Sequence, residues 1–131
     1  MAADIRYGLV IKHIPELIAA LAALLEASQA ALAALPNEDT VAVVAQATLA
    51  LRRTQEMRDL APPSLAQSID LLHMLNNKLT GALTITMLAL GDLPPGHLAH
   101  PVLVAVAARA RTAADVTRSA SEALKAEGPP P

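Results

Sequence analysis

Apolar residues return every three or four positions through four stretches of this chain, and prolines stand between the stretches. Leu17, Leu21, Leu24, Ser28, Leu32 and Leu35 alternate spacings of three and four, with Ile18 and Leu25 beside them. That pattern predicts a helix over about residues 15–35. Residues Asp4 to Ile14 form either a short preceding helix or the first turns of the same one, since Pro15 suits a first turn or a kink. Asn37 is a good N-cap, with Glu38 and Asp39 in the positive first turn of a second helix. This helix runs through Val41, Val44, Leu51 and Met57 to about Leu60, where Pro62-Pro63 stops it. Its later part, Arg52 to Glu56, reads as a solvated face. Ser64 and Gln67 have capping-box spacing and open a third helix that reaches about Leu90, with Gly91 as its C-cap. Pro94-Pro95-Gly96 makes a tight connection. The fourth helix starts near Pro101 and frays by Gly128.

Long helices joined by short loops run antiparallel, so the pattern describes two helical hairpins, 1–61 and 62–127, followed by a disordered tail at 128–131. Composition agrees with an all-α fold. Hydrophobic residues make up 53% of the 131, but much of that is alanine, the best helix former, while aromatics are 1% and consist of Tyr7 alone. An alanine and leucine core lets helices approach closely. The expected architecture is a four-helix bundle, formed by dimerisation of the C-terminal hairpin or, within one chain, by the first hairpin closing on the second.

The absence of cysteine excludes disulfides, thiolate catalysis and cysteine-based zinc sites. A net charge of −2 gives no electrostatic reason to expect nucleic acid. Asp4, Arg6 and Lys12 do not fit a signal peptide, and charges interrupt the apolar runs before they reach a membrane span of roughly 18 residues. A cytoplasmic protein with no membrane or nucleic-acid partner is expected.

The candidate chemistry lies on the third helix. At about 100° per residue, Leu65, Leu72, Leu79, Leu83 and Leu90 fall on one side, flanked by Ile69, Leu75, Thr86 and Met87. Asp70, His73, Asn77, Thr80 and Thr84 form a separate polar strip. Asn76 and Asn77 are poor helix formers in mid-helix and lack a stability rationale there. The stretch Leu72-His73-Met74-Leu75-Asn76-Asn77-Lys78-Leu79-Thr80-Gly81 resembles the H-box of histidine kinases in the form H-[DE]-x-N-N-x-L-[TL]. The segment Ala107 to Arg118 is similar to the second helix of that family's dimerisation and phosphotransfer hairpin. The resemblance covers about residues 64–126.

It implies that His73 is a phosphate carrier, that Asn77 one turn on orients the phosphoryl group, and that the chain forms a homodimer. The partners it implies are a response-regulator receiver domain or a histidine kinase. Two features depart from the family. Met74 stands where an acidic residue usually follows the histidine, and no ATP-binding domain follows the hairpin. The reading that survives is a histidine phosphotransfer protein, not an autonomous kinase. The alternatives are a non-catalytic scaffold that docks a receiver or kinase, and a plain oligomerisation bundle.

Other residues carry less. Arg109 sits in the fourth helix's apolar stripe of Val102, Val106, Ala113, Val116, Ala120 and Leu124, where it could snorkel to solvent or reach a phosphate. Arg111, Asp115, Arg118, Glu122 and Lys125 take the opposite face. His97 and His100 have an H-x-x-H spacing, but a turn role explains them better than a metal, and His13 has no chemical company. The catalytic candidates are therefore His73 and Asn77, with no cofactor or metal assigned.

Overall fold

The computed structural model describes residues 2–59 and 64–126. It consists of four helices, α1 (Ala2–Ala34), α2 (Glu38–Asp59), α3 (Leu65–Asp92) and α4 (His100–Ala126), with no strand among the described residues. Successive helices pack against each other, and α1 closes the ring against α4, leaving α1 and α3 on the diagonal. The bundle is thus complete within one chain: α1 and α2 cover the apolar faces of α3 and α4. One core runs through both hairpins, with Leu17, Leu21 and Leu24 meeting Val43, Ala47, Leu75, Leu79, Leu103 and Val106.

The caps explain where the helices begin. Asn37 Oδ1 accepts from the Thr40 backbone N–H at 3.0 Å, and Thr40 Oγ1 accepts from the Asn37 N–H at 3.1 Å, a reciprocal cap with threonine in the role usually taken by Glu or Gln. Ser64 and Gln67 form the expected capping box. The Gly91 expectation is corrected: α3 continues to Asp92, and its C-cap is Leu93 in an extended conformation. The following Pro94 disfavours helical geometry at Leu93, so proline rather than glycine sets the stop. Gly96, at φ 78°, makes the turn that only glycine adopts readily. α1 also starts well before Pro15, which lies inside one continuous helix and costs it a backbone hydrogen bond. The stop at Pro62-Pro63 and the tail at 128–131 lie outside the described residues.

Four of the buried polar residues share one device. Ser28, Thr54, Thr86 and Thr117 are buried, and each hydroxyl donates to the carbonyl four residues earlier, at 2.7–2.8 Å. Burying them therefore leaves no donor without a partner. Thr86 is fully buried and Met87 is exposed, so the buried stripe of α3 is rotated from the one expected, toward Ser68, Leu71, Leu75, Ala82 and Ala89. Arg109 is exposed, and Ala107 and Ala110 take the core positions beside it. Within α1, Lys12–Ala34 has a mean hydropathy of 1.8 and is long enough to cross a membrane, which counting unbroken apolar runs missed. Its Leu17, Leu21 and Leu24 are core residues of the bundle, and Glu16 and Glu26 face solvent.

Gly81 sits inside α3 facing α2, and a Cβ there would meet Gln46 Nε2 at 3.8 Å, an ordinary contact. Alanine removes the entropic penalty of glycine in mid-helix without a clash. Gly81→Ala is expected to stabilise the fold by about 0.5–1 kcal/mol, read as a higher urea midpoint at unchanged m-value. A loss of stability would mean that the α2–α3 spacing tolerates no added methyl group.

Candidate functional site

His73 lies in the third turn of α3 with its side chain exposed, on the strip that also carries the exposed Asp70, Asn76, Asn77, Thr80 and Thr84. One edge of that strip borders α4. Between the two helices, near the start of α3 and the end of α4, an open groove of about 720 Å³ is lined from α3 by Ile69, Leu72, His73 and Asn76. From α4 it receives Thr117, Arg118, Ser121, Leu124 and Lys125. The antiparallel pairing of α3 with α4 creates this juxtaposition, since it sets the beginning of one helix beside the end of the other.

The groove has a layered chemistry. Leu72 and Thr117 are buried at its floor, and the Thr117 hydroxyl is already committed to the Ala113 carbonyl at 2.8 Å. At the rim stand two cations. Arg118 pairs through Nη2 with Asp115 Oδ1 one turn earlier, an exposed pair that holds the guanidinium on this face. Such an exposed pair contributes little to stability. Lys125 occupies the last turn of α4, where its charge complements the negative helix end, and it has no ion-pair partner among the described residues. The arrangement presents an imidazole, an amide and two cations around one open, part-apolar space. Chemically it can hold an anion beside a nucleophilic ring nitrogen.

The two candidates from the sequence separate here. His73 is at the groove and exposed. Asn77, four residues on, is also exposed and neighbours His73 on the helix surface, but it lies on the side of the strip away from the groove. Asn76 is the amide that lines the groove. Sequence reasoning grouped Arg118 and Lys125 only as part of α4's polar face. The signal that would have found them is the antiparallel register, which places residues near 125 opposite His73. Met74 is partly buried and packs on the core, so it contributes packing at the position the family gives to an acid.

The other histidines have local roles or none. His97 Nδ1 accepts from the Ala99 backbone N–H at 2.9 Å, closing the turn before α4. No group of three or more potential metal ligands occurs among the described residues. His13 Nδ1 and Gln46 Oε1 are buried without a hydrogen-bond partner, on different helices. Comparison with protein-family models, curated proteins and solved structures finds no match for this chain.

Proposed function

We propose that this chain is a cytoplasmic histidine phosphotransfer protein of bacterial two-component type, exchanging phosphoryl groups between His73 and receiver-domain aspartates. The observation that carries the reading is an exposed His73 beside a groove rimmed by Arg118 and Lys125. In the forward step an imidazole nitrogen of His73 attacks the phosphorus of an aspartyl phosphate. An N–P bond forms, the P–O bond to the aspartate breaks, and the aspartate leaves as a carboxylate. Arg118 and Lys125 offset charge on the phosphoryl oxygens, and the amides of Asn76 and Asn77 flank the ring one turn along the helix. Receiving phosphate from an acyl phosphate needs no ATP-binding domain.

A homodimer, implied by the resemblance, would add to this bundle rather than complete it. It would use outward residues such as Val41, Leu88 and Val104, all exposed. A second reading, a scaffold that docks a receiver domain without chemistry, is favoured by Met74, which cannot serve as the acid the family places there.

The test is phosphoryl transfer from a panel of phosphorylated receiver domains to the purified protein. An acid-labile label on the chain is expected for at least one receiver. A receiver that binds without losing its phosphate, and no labelling by any other, would replace transfer with docking.

A further inference from the structure

We propose that Asp70 is a positioning residue for His73: its carboxylate accepts the Nδ1–H of the imidazole, which leaves Nε2 free to attack phosphorus and offsets the positive charge the ring gains. The inference rests on the phosphotransfer reading of His73 and adds a residue which that reading does not use.

The helix itself makes the pair. Asp70 lies one turn before His73 on α3, about 60° away around the axis, a spacing that puts the two Cβ atoms about 5–6 Å apart. Side chains on a helix lean toward its N-terminus, so the imidazole covers the turn that carries Asp70 rather than the turn that carries Asn76 and Asn77. An aspartate is too short to reach past the near edge of the ring. It meets Nδ1, the nitrogen closer to the backbone, and leaves Nε2 at the tip. No other carboxylate competes for this place. The other acid on α3, Asp92, stands at the far end of the helix, and Met74, directly after His73, packs on the core. Across the groove α4 contributes Arg118 and Lys125 to the lining but no carboxylate.

The two flanks of His73 therefore differ in charge. Toward α4 stand the cations of the groove. On the other flank stands Asp70, exposed, outside the groove lining and without an ion pair among the described residues. A neutral imidazole between them is oriented in one sense, its N–H toward the carboxylate and its lone pair toward the cations that receive the phosphoryl oxygens. As Nε2 bonds to phosphorus, the P–O bond to the receiver's aspartate breaks and the ring becomes an imidazolium. The Nδ1 proton stays on the ring, and its hydrogen bond to Asp70 becomes charge-assisted. No proton has to leave, so the carboxylate acts as an acceptor and a countercharge, not as a base. The pair is open in the free protein, where both side chains are exposed, and it closes as the ring takes on charge.

The experiment measures phosphorylation of the full chain by phosphoramidate, a small donor that needs no partner protein, with His73→Gln supplying the background from the other histidines. Asp70→Asn should slow labelling of His73 about fivefold in low salt, the scale of an exposed charge pair. The deficit should shrink below about twofold at about 1 M salt, where charges are screened within about 3 Å. Asp70→Glu should return the rate to within about twofold of wild type, since the carboxylate is kept. Glu26→Gln makes the same change in net charge on the solvent face of α1 and should leave the rate unaltered. In nitrogen NMR of the phosphorylated chain, phosphorus should sit on Nε2, and the Nδ1–H should exchange with water about fivefold more slowly in the wild type than in Asp70→Asn. Equal labelling of wild type and Asp70→Asn in low salt would overturn the proposal. So would a deficit that salt does not reduce or that Asp70→Glu does not repair, or phosphorus on Nδ1. Transfer from receiver domains separates this inference from the reading beneath it. A receiver that labels wild type and Asp70→Asn at the same rate removes the pairing and keeps phosphotransfer. Dependence on Asp70 with phosphoramidate, and no labelling by any receiver, keeps the pairing and removes the receiver as partner.

Discussion

Leu21→Ala is expected to lower the unfolding free energy by about 3–5 kcal/mol, the largest loss from any single truncation considered for this chain. Leu21 is fully buried on α1 at the centre of the ring. The surrounding core among the described residues is leucine, isoleucine, valine, alanine and methionine, with no large planar side chain to swing into the space left behind. An alanine-rich wall already lies close to its neighbours and can relax little further, so the cost combines lost transfer energy with a persisting cavity. Leu98→Ala is the matched control: Leu98 is 88% exposed in the loop before α4, and its truncation should stay within about 0.5 kcal/mol. Urea unfolding followed by circular dichroism measures both. The same curve examines the organisation of the chain. If α1 belongs to one cooperative unit with α3 and α4, the Leu21→Ala protein unfolds in a single shifted transition. Two transitions, only the first of them shifted, would mean that the C-terminal hairpin holds together without the N-terminal one.

Most of the fold is legible in the sequence because its signals are local. Asn37 with Thr40 and Ser64 with Gln67 satisfy their own helix starts, so helix positions follow from short-range chemistry that no tertiary contact overrides. The failures occur where a local signal competes with a neighbour. Gly91 looks like a C-cap, but the constraint that Pro94 places on Leu93 settles the stop. The wheel puts Arg109, free to snorkel to solvent, in the apolar stripe because alanine marks a face so weakly: when Ala107 and Ala110 form the core, the stripe through valines and leucines points slightly off its true axis. For the same reason Met87, placed beside Thr86 at the edge of the apolar side, is exposed while Thr86 is buried. The threonine hydroxyl is satisfied within its own helix, which lets it go inside at little cost.

The candidate site was legible only as a strip on one helix. A helical wheel places His73 among polar residues but carries no information about which edge of the strip meets another helix. That depends on where α4 docks, which only the assembled bundle fixes. Hence the wheel puts Asn77 on the strip and leaves Asn76 outside it, and the lining of the groove by Asn76 is a tertiary property. Arg118 and Lys125 were invisible as site residues for the same reason, being fifty or so positions away in sequence.

His73→Gln should accept no phosphoryl group from any receiver that labels the wild type, while its unfolding midpoint stays within the equivalent of about 0.5 kcal/mol, because the side chain is exposed and makes no hydrogen bond among the described residues. Glutamine keeps a polar head at the position but has no nucleophilic ring nitrogen, so loss of label with the fold intact assigns the chemistry to the imidazole. The two asparagines then test which side of His73 the phosphoryl group takes. If it leans into the groove toward Arg118 and Lys125, Asn76→Ala should slow transfer about tenfold or more, the scale seen when a positioned hydrogen-bond donor is removed. Asn77→Ala should then slow it less than threefold. The reverse ranking would place the phosphoryl group on the outward side, as the histidine-kinase resemblance implies for Asn77, and would take the cationic rim out of the reaction. Labelling of the His73→Gln protein at the wild-type rate would end the phosphotransfer reading for this residue. The exposed strip on α3 would then be better understood as a docking face.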